Sequence, residues 1–239
     1  MKPVIKILLL LCILSIHVKA QSKSSMHTTL SPKQKSLVTI SSYTAQGDLV
    51  KLKTALNAGL DAGVTVNEIR ESLVHLYAYC GFPRSLRGIM TFMEVIEERK
   101  AKGITDKVGA EASSVKDNRG KYVRGKETLE ELTGVKEKDP KKGYAAFAPE
   151  IEVFLKEHLF ADLFERDVLS YQERELVTVS VLSSIGGVEP MLRSHLGICL
   201  NVGLTPDQLG EFMAIIKTTV TQEDATSAEA VLSEVLQQK

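Results

Sequence analysis

Leu30-Ser31-Pro32-Lys33-Gln34 begins one segment of the chain, and the related Leu169-Ser170-Tyr171-Gln172-Glu173 begins another about 140 residues later. Both contain a capping box, in which the Ser hydroxyl accepts a hydrogen bond from the backbone N–H three residues on, while the Gln or Glu side chain there bonds back to the cap. A second box follows at nearly the same distance in each segment, at Thr65 and at Thr205. This repetition predicts an internal duplication of a helical unit.

Apolar residues recur at helical spacing between these boundaries. In the first unit, leucines repeat every three or four residues up to Gly63, and glycine tolerates the left-handed backbone found at helix ends. These leucines are Leu49, Leu52, Leu56 and Leu60. In the second unit, the stretch from Val177 to Val181 is β-branched and alternates like a strand, but the capping box before it favours a helix. The pattern predicts an all-α fold.

We expect five parts along the chain: a signal peptide at 1–20, a disordered N-terminus at 21–29, repeat one at 30–100, a polar connector at 101–146 and repeat two at 147–239. Lys2 and Lys6 precede an apolar run at 7–16, and Ala20 ends a small-residue cleavage site. The run is too short to span a bilayer. We therefore expect a periplasmic or secreted protein without an integral membrane segment.

The connector and the residues after it carry weaker signals. Within the connector, we expect one helix around Lys126 to Leu132. Residues 147–164 are more apolar, and we expect them to pack on repeat two.

Composition excludes several classes of protein. The 30 Lys and Arg residues balance 30 Asp and Glu residues, and loss of residues 1–20 would leave a net charge of about −3. Such a balance does not favour nucleic acid. Cys80 and Cys199 would be the cysteines of the mature chain, and no C-x-x-C is present, which excludes a multi-disulfide framework but leaves one disulfide open. The absence of Trp and the few aromatic residues suit a helical bundle.

The two units differ in their polar residues. Alignment on the Thr boxes places Glu71 opposite Glu211, His75 opposite Ile215, Tyr79 opposite Thr219, and His195 opposite Ala55. Glu71, His75 and Tyr79 are spaced i, i+4 and i+8, so they share one face of one helix. A carboxylate one turn from an imidazole can fix its tautomer and raise its pKa, as a general acid or base requires. These residues are candidate catalytic groups.

Structural explanations exist for the same residues. A line of polar side chains on a helix is often solvated, His195 could be a buried neutral histidine, and Cys199 could fill the core. A metal site would need His75, His195, Glu71 and Glu175 together, but no H-x-x-x-H or E-x-x-H spacing supports one, so we expect no metal.

Several short motifs carry a resemblance to a known family. In the second unit they are Phe164-Glu165-Arg166, Leu169-Ser170, Arg174-Glu175-Leu176-Val177-Thr178, Leu192-Arg193-Ser194-His195 and Gly203-Leu204-Thr205, and in the first unit Tyr79-Cys80-Gly81-Phe82-Pro83. They resemble the carboxymuconolactone decarboxylase family, which includes the alkylhydroperoxidase D-like proteins. The resemblance implies a tandem duplicated helical bundle of the alkylhydroperoxidase D-like type that assembles into a homo-oligomer.

The decarboxylase branch of the family implies acid/base chemistry, without a cofactor, on a small carboxylated lactone or related acid. On this reading His195 is the acid/base group, Glu175 orients it, and Arg166 binds the substrate carboxylate through its bidentate fork. Glu71, His75 and Tyr79 would complete one composite site from the other unit.

Two other functions remain open. The alkylhydroperoxidase D-like branch reduces peroxides with a C-x-x-C followed by a histidine, but the cysteine positions fall on Val188 and Met191 when projected onto His195. A thiol peroxidase with peroxiredoxin activity would instead have to use Cys80 or Cys199. The second alternative is a non-enzymatic exported binding module.

Overall fold

The computed structural model describes residues 29–238, so the predicted signal peptide and most of the predicted disordered N-terminus lie outside the described residues. The described part contains eleven α-helices, one π-helical segment and no strand. The elements are α1 (Pro32–Gln46), α2 (Leu49–Asp61), α3 (Val66–His75), α4 (Tyr77–Ala101), α5 (Lys121–Thr133), α6 (Tyr144–Phe147), α7 (Pro149–Phe154), the π segment (Leu155–Leu163), α8 (Tyr171–Ile185), α9 (Glu189–Asn201), α10 (Pro206–Thr219) and α11 (Gln222–Gln237). The all-α prediction is confirmed, and the ambiguous stretch at 177–181 is helical.

The helices α1 to α4 have counterparts in α8 to α11. The first helices of the two units, α1 and α8, pack against each other at the centre of the molecule. In addition, α3 of unit one packs on α8 of unit two, and α10 of unit two packs on α1 of unit one. We call these two contacts, α3 with α8 and α10 with α1, the junctions between the units. Each junction combines side chains from both repeats.

Local sequence determines where the helices begin. All four predicted capping boxes are present, at Ser31, Thr65, Ser170 and Thr205. Gly81 interrupts α4 after its first turn with φ of +79°, a backbone conformation that residues with a Cβ rarely adopt. This break separates the turn that carries Tyr79 from the long remainder of α4.

The centre of the core is α8, which is buried on all sides rather than along one stripe. Every residue from Arg174 to Ser184 is buried, including Glu175 and Thr178. A helix without a solvated face must provide partners inside the protein for each of its polar groups. The polar side chains of α8 therefore define where an internal site can form.

The connector is more structured than its polar composition indicates. Its helix α5 is longer than predicted and packs on the π segment, where Leu132 meets Phe160 and Phe164. Ile198 of α9 joins the same cluster. The second half of 147–164 thus packs mainly on α5 and reaches repeat two through Ile198, whereas Phe147 in the first half is 92% exposed. The prediction for the first half is wrong because α6 and α7 are too short to bury an apolar face.

We found no helix within residues 29–238 that is both long enough and apolar enough to cross a membrane.

Candidate active site

The site is organised by three residues in two consecutive turns of α8. Arg174 and Glu175 are neighbours in sequence, so their side chains leave the helix about 100° apart. Arg174 contacts α3 of the first unit, whereas Glu175 contacts α9 of its own unit. Thr178 lies one turn after Arg174 and also contacts α3.

Glu175 and His195 form a direct contact. The Nδ1 atom of His195 lies 2.8 Å from Oε2 of Glu175, which is fully buried, while the His195 side chain is 14% exposed. Among the described protein atoms, the second oxygen of Glu175 has no hydrogen-bond partner. A carboxylate on Nδ1 fixes the tautomer and the orientation of an imidazole ring. The Nε2 atom of His195 is then the atom that can exchange a proton with a bound molecule.

Glu71 is held by two arginines. Its Oε1 lies 2.7 Å from Nη2 of the fully buried Arg174, and Nε and Nη2 of Arg166 approach its two oxygens at 2.9 Å each. Burial alone would raise the pKa of Glu71, but the hydrogen bonds from both arginines lower it below its ordinary value. Glu71 is therefore a carboxylate at neutral pH and neutralises Arg174.

This arrangement limits what Arg166 can do for a ligand. Its bidentate fork, predicted to hold a substrate carboxylate, is directed at Glu71. The Arg166 side chain is still 38% exposed, so contact with a ligand would have to use its remaining nitrogen, Nη1.

His75 is neutral and fully buried. Its Nδ1 lies 3.2 Å from Nη1 of Arg174, and its Nε2 lies 3.0 Å from the Thr178 hydroxyl. Because a guanidinium only donates, Nδ1 must accept and Nε2 must carry the hydrogen. Burial, together with the positive charge of Arg174, lowers the pKa of His75 well below its ordinary value.

The sequence-based expectation for His75 is therefore wrong in one respect. Glu71 does not raise the pKa of His75, because its oxygens bind Arg166 and Arg174. A neutral His75 can orient neighbouring groups, but it is a poor proton donor at neutral pH.

Tyr79 brings the two histidines together. Its ring centroid lies 5.5 Å from that of His75 and also 5.5 Å from that of His195, which it meets edge-on at 85°. The two imidazole centroids are thus at most twice that distance apart. Burial, followed by the charge of Glu175, raises the pKa of the Tyr79 phenol. The structure brings the six predicted acid/base and binding residues of the two units into one cluster.

Two members of this cluster, Arg174 and Thr178, were not predicted as site residues. Both lie in the family-like motif of α8. One signal in the sequence could have identified Arg174. Residues 174–184 show no continuous polar stripe, which indicates a helix buried on all sides, and a charged residue on such a helix needs a buried counter-charge.

The two cysteines lie in apolar surroundings. Cys80 is half-buried, and its Sγ donates to the Leu76 carbonyl at 3.2 Å. Burial raises the pKa of Cys80 to about 11 and raises that of the fully buried Cys199 as well. Since the thiolate is the reactive form, neither environment favours nucleophilic or redox chemistry.

Within residues 29–238, no three His, Cys, Asp or Glu side chains are grouped so that they could hold a metal ion.

Comparison with known proteins gives one consistent result. Residues 18–90 and 149–234 match the sequence model of the carboxymuconolactone decarboxylase family. The chain is also similar to the 4-carboxymuconolactone decarboxylase of Acinetobacter baylyi (strain ATCC 33305 / BD413 / ADP1), with 31% identity over 94 residues, which cover 39% of this chain and 69% of that protein. The first matched segment contains Glu71 and His75, and the second contains Glu175 and His195. With both repeats matched, the chain belongs to the carboxymuconolactone decarboxylase family.

Proposed function

We propose that this protein is a cofactor-free acid/base enzyme of the lyase type that acts on a small carboxylated lactone or a related acid. The observation that carries the proposal is the contact between His195 and Glu175, in which a partly exposed imidazole is bonded to a buried carboxylate. A carboxylate with no solvent contact is costly to bury with a single partner. A functional role explains why this cost is tolerated: Glu175 orients the His195 ring and polarises it.

The proposed chemistry is proton management on carbon. When such an acid loses carbon dioxide, the electron pair of the breaking C–C bond passes into the conjugated system and leaves an electron-rich dienolate. The protonated His195 donates from Nε2 to carbon, and the neutral imidazole that results is reprotonated from solvent. Glu175 stabilises the imidazolium through Nδ1.

The remaining groups of the cluster would support this step. The network of Glu71, Arg174 and His75 fixes α3 against α8 and so positions Tyr79 beside the His195 ring. Arg166 provides positive charge at the edge of the cluster, and we retain it as a candidate contact for the substrate carboxylate.

The two alternatives have less support. The raised pKa values of both thiols disfavour a thiol peroxidase. A binding module would be favoured by a sealed and fully bonded His195, whereas this side chain retains access to solvent. Export through a leader at residues 1–20 remains part of the proposal.

The test uses a variant that keeps the contact but removes the proton transfer. His195→Asn retains an amide donor for Glu175 at about the position of Nδ1, so the fold is preserved while Nε2 is lost. We expect its turnover of a substrate found by screening small lactone acids to fall by roughly 10² to 10⁴, the usual contribution of a general acid or base. Thermal unfolding checks that the variant is folded.

A double Cys80→Ser and Cys199→Ser variant is the matched control and should keep full turnover. Unchanged turnover in His195→Asn would rule out the proposed role of His195. Peroxide consumption that disappears in the double cysteine variant would support the thiol alternative instead.

A further inference from the structure

The outward face of α4 carries an apolar stripe. Its four residues are Phe82, Leu86, Met90 and Met93, spaced at i, i+4, i+8 and i+11, and each is at least 50% exposed. Neighbours at this spacing lie on one side of a helix. Contiguous apolar surface of this kind on a soluble protein indicates an interaction site.

The duplicated unit provides an internal control for this stripe. The equivalent positions on α11 are Gln222, Thr226, Ala230 and Ser233, all of them exposed and none of them large and apolar. Both helices occupy the same place in their units, so the fold itself does not require large apolar side chains there. The α4 stripe therefore needs an explanation particular to unit one.

Two charges flank the stripe on one side. Arg87 and Glu94 are both exposed, and within residues 29–238 neither forms an ion pair, since the pairs of α4 are made by Glu98 and Arg99. They are seven residues apart, roughly 10 Å along the helix axis, which is too far for them to pair with each other. Glu94 lies near Lys53 of α2, but that lysine is paired with Glu98, so neither flanking charge has an ion-pair partner of its own in this part of the chain.

We propose that the α4 stripe is the contact surface for a second copy of this chain, with the two α4 helices packed antiparallel about a two-fold axis near Met90. In an antiparallel pair, the same flank of each helix faces its equivalent in reversed direction. Arg87 and Glu94 lie at nearly equal distances on either side of Met90. Arg87 of each copy is therefore opposite Glu94 of the partner subunit, twice by symmetry.

The charge pattern favours a second copy over the other apolar segment of the chain. The run at residues 7–16 has no charged side chain and offers nothing to Arg87 or to Glu94. A self-complementary pair covers the apolar stripe and satisfies both flanking charges together.

Charge reversal tests the proposal on the full chain. R87E and E94R each place like charges opposite one another, and each should halve the assembly mass measured by light scattering after gel filtration. An equimolar mixture of the two variants should recover the wild-type mass, because the acidic flank of one chain then faces the basic flank of the other. No partner except a second copy predicts this recovery.

A matched pair of variants checks the position of the surface. Met90→Glu should also halve the mass, whereas Ala230→Glu, at the equivalent position on α11, should leave it unchanged. Circular dichroism shows whether each variant is folded. The proposal is overturned if the wild-type chain is monomeric, if R87E and E94R assemble like the wild type, or if their mixture does not recover the wild-type mass. A monomeric wild type would assign the stripe to the apolar run at residues 7–16 or to a different protein.

Discussion

The two junctions between the repeats occupy equivalent positions but differ in character. At the junction of α3 with α8, Glu71 and Arg174 pair at 2.7 Å with side chains 3% and 0% exposed. At the junction of α10 with α1, the equivalent pair, Glu211 and Lys35, lies 3.3 Å apart and is 31% and 46% exposed. The duplication has kept both ion pairs, but only one of them is shielded from water.

The surrounding residues extend the difference. His75 and Tyr79 at the first junction are replaced at the second by Ile215 and by Thr219, whose hydroxyl accepts a buried hydrogen bond of 2.8 Å from Ser42. Ala55 stands where the first junction has His195. Equivalent helices therefore hold a cluster of charged groups and imidazoles at one junction and only uncharged hydroxyls and apolar side chains around the ion pair at the other. The site depends on these side chains rather than on the fold.

The largest difference between the junctions should appear when the acidic partner is removed. Glu71→Gln leaves the buried Arg174 without its counter-charge, and we expect a loss of about 3–5 kcal/mol in the free energy of unfolding. Glu211→Gln removes an exposed partner and should cost about 0–1 kcal/mol. Urea unfolding at pH 7 measures both. Equal losses would contradict the contrast in burial.

A smaller difference should appear in the dependence of stability on pH. The folded pKa of His75 is lowered, so below the ordinary value of 6.5 the unfolded chain binds a proton that the folded chain refuses. Stability is therefore lost as the pH falls below about 6.5, with a slope approaching about 1.4 kcal/mol per pH unit from this group.

The His75→Gln variant isolates that effect, because Gln can accept from Arg174 and donate to Thr178 but does not titrate. Its free energy of unfolding, measured between pH 7.5 and pH 5.5, should fall less steeply than that of the wild type. Parallel slopes would show that His75 is protonated in the folded protein. No counterpart exists at the second junction, where Ile215 cannot titrate.

The smallest difference should be found at the capped N-termini of the first helix of each unit, α1 and α8. The hydroxyls of Ser31 and Ser170 accept equivalent capping bonds at 3.2 and 3.3 Å. Ser31→Ala and Ser170→Ala should each cost about 1 kcal/mol of stability, with little difference between them. Chemical unfolding of the two variants side by side measures both losses. A large difference between the two losses in free energy of unfolding would mean that the caps of α1 and α8 are not equivalent.

Sequence reasoning recovered the parts of the site that lie on one element. The line of Glu71, His75 and Tyr79 follows from helical periodicity, and the pairing of Glu175 with His195 was expected from the family resemblance. Arg174 was not predicted as a site residue. Glu71 was expected to act on His75, but its carboxylate binds Arg166 and Arg174 instead. Both depend on which helices meet, and α3 and α8 are about 100 residues apart along the chain.

The sequence by itself determined the four capped helix starts, the duplication and the faces of the helices in the two repeats, because capping and periodicity act between residues a few positions apart. Only the tertiary structure decided the state of each polar group. It buries α8 on every side, assigns Glu71 to two arginines, makes His75 a neutral acceptor and leaves His195 in contact with solvent. The physical reason is that charge and hydrogen bonding inside a protein are set by the partners that distant segments bring together.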